Sequence, residues 1–199
     1  MPDELPAAAA RAFDAHDAYE RAAGGPAVVL TTTRFDATTT ARDDSETEWA
    51  LTYELEVRAP MLSAVTADAV GPAVEEGWFD TFALRLEDAP GAVRDSVDTD
   101  LDVTEEADDG VVTYSFEWGD PDRAAAIAKA FAEFVEGTYL EGVVPGYDYR
   151  TPVSELLPPA RGAAGAGGSA APIPLQGSAP TTRHFPFSND GISALSYHS

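Results

Sequence analysis

Apolar positions along the chain follow two different periods. Leu5, Ala9, Phe13 and His16 recur at spacings of four, four and three, which predicts a helix. Gly24-Gly25-Pro26 reads as its stop. Residues 27–33 and 35–42 are rich in branched side chains and read as strands. Residues 48–58 carry the clearest alternation in the chain. Trp49, Leu51, Tyr53, Leu55 and Val57 interleave with Glu48, Ala50, Thr52, Glu54, Glu56 and Arg58. Period two with one charged side predicts a strand with one buried and one wet face. Pro60 closes it, and 61–67 reads as a further short strand.

Pro72 opens a second helix at its first turn, with Val74, Trp78, Phe82 and Leu86 each four apart, and Pro90-Gly91 ends it. Leu101 and Val103 mark another strand, Asp109-Gly110 a hairpin turn, and Val112, Tyr114, Phe116 and Trp118 the returning strand. Asp120-Pro121 is an N-cap and first-turn pair for a third helix that turns Ile127, Phe131, Phe134 and Val135 inward. Gly137 or Gly142 ends that helix, 143–150 is a loop, and 152–157 reads as a last short helix.

Strands joined by short turns pair antiparallel, and helices between such groups cover one face. The expected class is therefore α+β: an antiparallel sheet of about five to six strands with helices on one face, in the order α-βββ(β)-α-ββ-α. Secretion-type chaperone domains that bind peptide segments are similar in element order, a likeness of topology that does not fix function.

Charge changes the picture most. The 199 residues carry 35 acids against 12 bases, a net charge of −23, with Lys129 the only lysine. Like charges at this density repel across a compact state, and multimolar salt removes the objection, because the Debye length falls to ~3 Å at ~1 M. Acid-rich, lysine-poor composition points to a protein adapted to a salt-rich cytoplasm. The same charge argues against nucleic acid, whose phosphates need a basic cluster, and against anionic membrane surfaces. There are no cysteines, which excludes disulfides and thiolate chemistry. No apolar run approaches the ~20 residues needed to cross a bilayer, and Met1-Pro2-Asp3-Glu4 lacks the basic start of a signal peptide, so the expected location is cytoplasmic.

Composition breaks near residue 158. Residues 1–158 hold 34 acids and 10 bases; residues 159–199 hold Asp190 against Arg161 and Arg183. The only Asn (Asn189), the only Gln (Gln176) and two of three histidines lie beyond the break, in a segment rich in Gly, Ala and Pro. The expected organisation is a domain at 1–158 and a flexible tail at 159–199. The tail reads as shaped separately, by a shifted reading frame, an artificial extension or a recent addition.

Candidate chemistry is sparse. Asp98-Thr99-Asp100-Leu101-Asp102 has the opening spacing of a calcium loop, but Val103 and Asp109 stand where Gly and Glu belong, and a strand explains the alternation better. His16 is the domain's only histidine, and no triad or metal set surrounds it. No catalytic residue, metal site or cofactor is assigned. The most distinctive run is 134–150, which combines Tyr139, Tyr147 and Tyr149 with Gly137, Gly142 and Gly146 and ends on Arg150. Buried rings pinning a loop over the sheet edge account for it most simply. As a binding element it would use Tyr139, Tyr147, Asp148, Tyr149 and Arg150, since tyrosines offer contact area at small entropy cost.

Leu30-Thr31-Thr32-Thr33 with Phe35-Asp36-Ala37-Thr38, then Gly77-Trp78-Phe79-Asp80-Thr81-Phe82 and Leu86-Glu87-Asp88-Ala89, then Phe134-Val135-Glu136-Gly137-Thr138-Tyr139 through Pro145-Gly146-Tyr147, resemble a family of small haloarchaeal proteins of unknown function. The resemblance covers about residues 3–157 and implies a haloarchaeal, cytoplasmic protein; it brings no catalytic residues. The leading expectation is a small adaptor or chaperone-like domain that binds protein or peptide near 139–149. Rivals are a small-molecule-binding domain and a carboxylate-dependent enzyme, and homo-oligomer formation is compatible with each.

The charge yields a first prediction. Far-UV circular dichroism across a KCl titration should show the domain folded at ~3 M and losing its structure towards ~0.1 M as screening fades. A spectrum unchanged down to ~0.1 M would remove the salt-adaptation reading.

Overall fold

The computed structural model describes residues 4–44, 47 and 49–157. The expected tail at 159–199 lies outside these residues. Helix α1 (Ala7–Ala15) leads into strands β1 (Tyr19–Arg21), β2 (Val28–Leu30), β3 (Asp36–Arg42) and β4 (Leu51–Pro60). Helices α2 (Leu62–Val65) and α3 (Pro72–Leu86) follow, then a 3₁₀ turn at Ala89–Ala92. Strands β5 (Thr99–Glu106) and β6 (Asp109–Trp118), helix α4 (Pro121–Glu141) and helix α5 (Val153–Leu156) complete the described residues. The six strands form one antiparallel sheet in the order β1-β2-β3-β4-β6-β5. The class is α+β.

Alternation decides which face is covered. Tyr53, Leu55, Val57 and Ala59 of β4 are buried, as are Val112, Tyr114 and Phe116 of β6. The register sets Tyr53 opposite Phe116, Leu55 opposite Tyr114 and Val57 opposite Val112, so the apolar side chains form continuous ranks. Helix α4 lies over these ranks with Ile127, Phe131, Val135 and Tyr139 buried. Its start is fixed as expected: the Asp120 carboxylate accepts from the Asp122 and Arg123 backbone N–H groups. Residues on the opposite sheet face (Thr38, Thr40, Glu54, Glu56, Arg58, Ser115) are polar and partly exposed.

Several local expectations are corrected. Helix α1 stops at Ala15, where His16 takes an extended conformation and its Nδ1 accepts from the Ala18 N–H. Gly24 and Gly25 then lie in the connection between β1 and β2, where Ala22 N–H reaches the Ala27 carbonyl, and do not end the helix. Residues 61–67 form no strand of the sheet. Met61, Leu62 and Val65 are buried at helical spacing in α2. Trp49, expected in the buried rank of β4, lies before the strand and is 75% exposed. Asp109-Gly110 is not the hairpin turn either. Both residues pair with Glu106 and Glu105, and Ala107-Asp108 make the turn with Ala107 at φ 52°. Gly110 serves packing, since a Cβ there would lie 2.9 Å from the Phe79 ring of α3.

Leu55 has no exposed surface in a central strand. Leu55→Ala is expected to cost about 2–5 kcal/mol, and Asp120→Ala about 1 kcal/mol through the lost cap, both read from denaturant unfolding at constant high salt. A cost below ~1 kcal/mol at Leu55 would contradict the packing described.

Candidate functional site

Helices α3 and α4 are joined through rings. Trp78 and Phe82, one turn apart on α3, stack with centroids 5.4 Å apart and planes 5° from parallel. Tyr139 of α4 meets both edge-on, at 5.1 and 5.9 Å, and Phe35 packs on its other side at 4.8 Å. This cluster consumes the core-facing positions. The next positions on the same helices lie at the edge of the core: Val74 is 41% exposed, and Phe134 packs against the core while remaining partly exposed.

Between these positions the surface sinks into two hollows. One, of about 320 Å³, is lined by Val74, Trp78, Phe82, Thr138 and Val144, with Arg85 and Glu141 at its rim. The other, of about 620 Å³, runs past Phe134 and Gly137 and is bordered by Asp88 and Glu133. They share Arg85, Thr138 and Glu141 and so form one cleft. Its floor is apolar and its rim charged, the usual character of a binding groove. Glu133 pairs with Lys129. Among the described residues Arg85, Asp88 and Glu141 form no ion pair.

One end of the cleft is set by Gly142, the C-cap of α4, whose N–H reaches the Thr138 and Tyr139 carbonyls. A Cβ at Gly142 would come within 3.2 Å of Trp78 Nε1, so the glycine lets the indole lie against the helix end. That indole N–H is buried and has no hydrogen-bond partner among the described residues, and the same holds for the Tyr139 hydroxyl.

The structure separates the residues singled out from sequence. Tyr139 lies inside α4 with no exposed surface; it forms the packing beneath the cleft and presents nothing to a ligand at the surface. Tyr147, Asp148, Tyr149 and Arg150 follow α4 and are tied down. The Tyr149 hydroxyl accepts from the Val144 N–H at 3.0 Å and donates to the Val144 carbonyl at 3.1 Å. Tyr149 bridges Thr66, Ala67 N–H donates to the Asp148 carbonyl, and Arg150 N–H donates to the Val65 carbonyl. Tyr147 is partly buried, and Asp148 and Arg150 are exposed. This segment meets the cleft at Val144.

Sequence reasoning did not single out Arg85, Asp88, Glu133, Thr138 or Glu141. The available signal was indirect: Val74 and Phe134 fit the outer edges of the apolar stripes, and Gly137 interrupts a good helix.

A third hollow, of about 330 Å³, lies on the open sheet face among Thr52, Asp98, Asp100, Ser115 and Glu117. The run read against a calcium loop mostly belongs to β5, and no group of three or more His, Asp or Glu among the described residues is placed to hold a metal ion. Among the described residues no helix is long and apolar enough to cross a membrane.

Comparison with known proteins adds the following. A family model described as a family of unknown function, DUF5813, matches residues 14–159. No curated protein and no solved structure matches the chain.

Burial also sets the alkaline limit of the fold. It raises the hydroxyls of Tyr19, Tyr114 and Tyr139 well above the ordinary phenol range and that of Tyr53 to about 12. In the unfolded chain these phenols ionise near pH 10, so above that pH the unfolded state sheds protons that the folded state retains. Stability is therefore full below pH ~10 and lost as pH rises beyond it, by up to ~1.4 kcal/mol per unit for each such phenol. Absorbance at the phenolate band should rise for these four groups together with loss of ellipticity. Their ionisation in a chain that stays folded would contradict the burial.

Proposed function

The chain belongs to the DUF5813 family of unknown function, and we propose that it is a small adaptor or chaperone-like domain that takes an apolar segment of a partner protein into the cleft between α3 and α4. One observation carries this reading: Val74 sits at an apolar-stripe position yet is 41% exposed, and Phe134 packs on the core while remaining partly exposed, both lining a cleft whose rim holds Arg85. Interface anchors have this character, large apolar side chains in a concave, rigid setting with polar groups around them. The ring cluster beneath keeps the cleft from collapsing, so little ordering is required when a partner arrives.

The setting we propose is the salt-rich cytoplasm of a haloarchaeon, supported by the net charge of −23. Segment 147–150, tied to α2 and continuous with Val144, forms the shoulder of the site.

Affinity capture tests the reading. The full chain is immobilised at ~3 M KCl, haloarchaeal lysate is passed over it, and the eluate is read by mass spectrometry. Wild type is expected to retain a stoichiometric protein partner, and Phe134→Glu and Val74→Glu, each checked for folding by circular dichroism, are expected to lose it. An empty eluate from folded wild type, or a partner that both variants retain, would overturn the proposal.

A further inference from the structure

We infer that the occupant of the cleft is an amphipathic helix of a partner protein, which crosses α4 at Gly137 and turns Arg or Lys towards Asp88, Glu133 and Glu141. The inference rests on the binding reading above and adds the conformation and charge of what binds.

Gly137 carries the first part. It lies inside the 21-residue helix α4, where glycine is the residue least suited after proline. Three other glycines have internal reasons: Gly110 makes room for Phe79, Gly119 for Trp49, and Gly142 for Trp78. Gly137 has none, because a Cβ there would meet nothing within 4 Å. The space it leaves opens into the cleft, which Gly137 lines. A missing Cβ on an exposed helix face lets another backbone approach closely. Gly77 of α3, one turn before Thr81 at the cleft, likewise has open space over it.

Backbone chemistry selects a helix. The walls are helical, with lining residues at Val74, Trp78, Thr81, Arg85 and Asp88 on one side and at Phe134, Gly137 and Glu141 on the other. From Val74 to Arg85 along α3 such a wall runs about 16 Å. Helix interiors offer no free N–H or C=O groups, so an extended peptide laid here would leave its own backbone groups unpaired. A helix satisfies its backbone internally and needs only side chains to bind, the helix-in-groove mode.

Charge selects the sign. Around the half of the cleft that holds Phe134 stand three carboxylates, Asp88, Glu133 and Glu141, and one guanidinium, Arg85; Glu133 is paired with Lys129, which leaves Asp88 and Glu141 without an ion pair among the described residues. Carboxylates around an aromatic face favour a cation. A second copy of this chain would bring its own excess of acids to that rim, 34 against 10 over residues 1–158. That charge favours a different, locally basic protein.

The test uses the full chain and an array of synthetic peptides of about 15 residues with Leu, Ile or Phe at helical spacing. One set carries Arg or Lys beside the apolar face, a second carries Glu there, and a third repeats the basic set with a central proline. Fluorescence anisotropy at ~3 M and at ~1 M KCl reads binding. Basic helical peptides are expected to bind, with affinity at least tenfold above the acidic and proline-broken sets. Gly137→Leu should weaken them at least tenfold while raising Tm, because it fills the cleft and improves the helix. Glu141→Arg should reduce the preference for basic peptides.

The inference falls if no peptide binds, if the acidic or proline-broken sets bind equally, or if Gly137→Leu leaves affinity unchanged. It also falls if sedimentation shows self-association that Gly137→Leu abolishes. A captured partner that depends on Phe134 but docks through a non-helical segment would remove this inference and leave the adaptor reading standing.

Discussion

The packing of α4 across β4 and β6 is the constraint on which the rest of the structure depends. Phe131 meets Tyr114 at 5.0 Å and Phe116 at 5.8 Å, and Phe116 stacks on Tyr53 at 5.5 Å. Other elements attach to that arrangement. Tyr19 of β1 donates its hydroxyl to the Ala125 carbonyl of α4, and Tyr114 of β6 donates to Leu86 at the end of α3. Each bond joins a ring already buried for its apolar area to a carbonyl on a different element. Because one helix covers the central strands lengthwise, α3 is held beside it through Trp78, Phe82 and Tyr139, and the cleft lies where the two helices part.

The acidic surface is a second, opposing constraint. Arg58 contacts Glu56, Glu106 and Asp109, Arg42 contacts Asp44 and Glu54, and Arg21 contacts Asp14, with side chains 30–57% exposed. Exposed pairs of this kind contribute about 0–1 kcal/mol each. Ten cations cannot offset 34 acids through such contacts. The fold draws its stability chiefly from the ring-rich interior. Among the described residues Arg85, like Arg11, Arg94 and Arg150, forms no ion pair.

What could be read from sequence follows from how far each signal depends on neighbours. The alternation of Tyr53, Leu55 and Val57 in β4, the four-residue spacing of Trp78, Phe82 and Leu86, and the Asp120-Pro121 cap are local, and each appears in the structure where it was read, while Trp49 at the start of the alternation falls outside the strand. Strand β1 is three residues long, too short for alternation to show, and its pairing with β2 supplies what its sequence lacks. Residues 61–65 are apolar without clear period, and Pro60 with the extended Met61 decides for a helical turn. Tyr139 illustrates the limit at the site. The sequence left the helix end open between Gly137 and Gly142; α4 runs to Glu141 with Gly142 as its cap and places the Tyr139 ring at the centre of a cluster drawn from three segments. Membership of a cleft wall depends on which stripe residues exceed the core, and that is a property of the packed whole.

That excess has a consequence for how the cleft must work. An apolar side chain left in water forgoes roughly 1.5–3 kcal/mol relative to full burial, and a glycine inside a helix costs a further ~1 kcal/mol relative to alanine. Val74 and Gly137 accept these penalties in full and Phe134 in part, on two helices that the ring cluster joins. Folding of the isolated chain gains little from Val74 or Gly137. A rigid surface that keeps its apolar groups exposed can recover their burial on association without spending the recovered energy on reordering. The features least favourable to the fold by itself are therefore the ones that make the α3–α4 cleft suited to a partner.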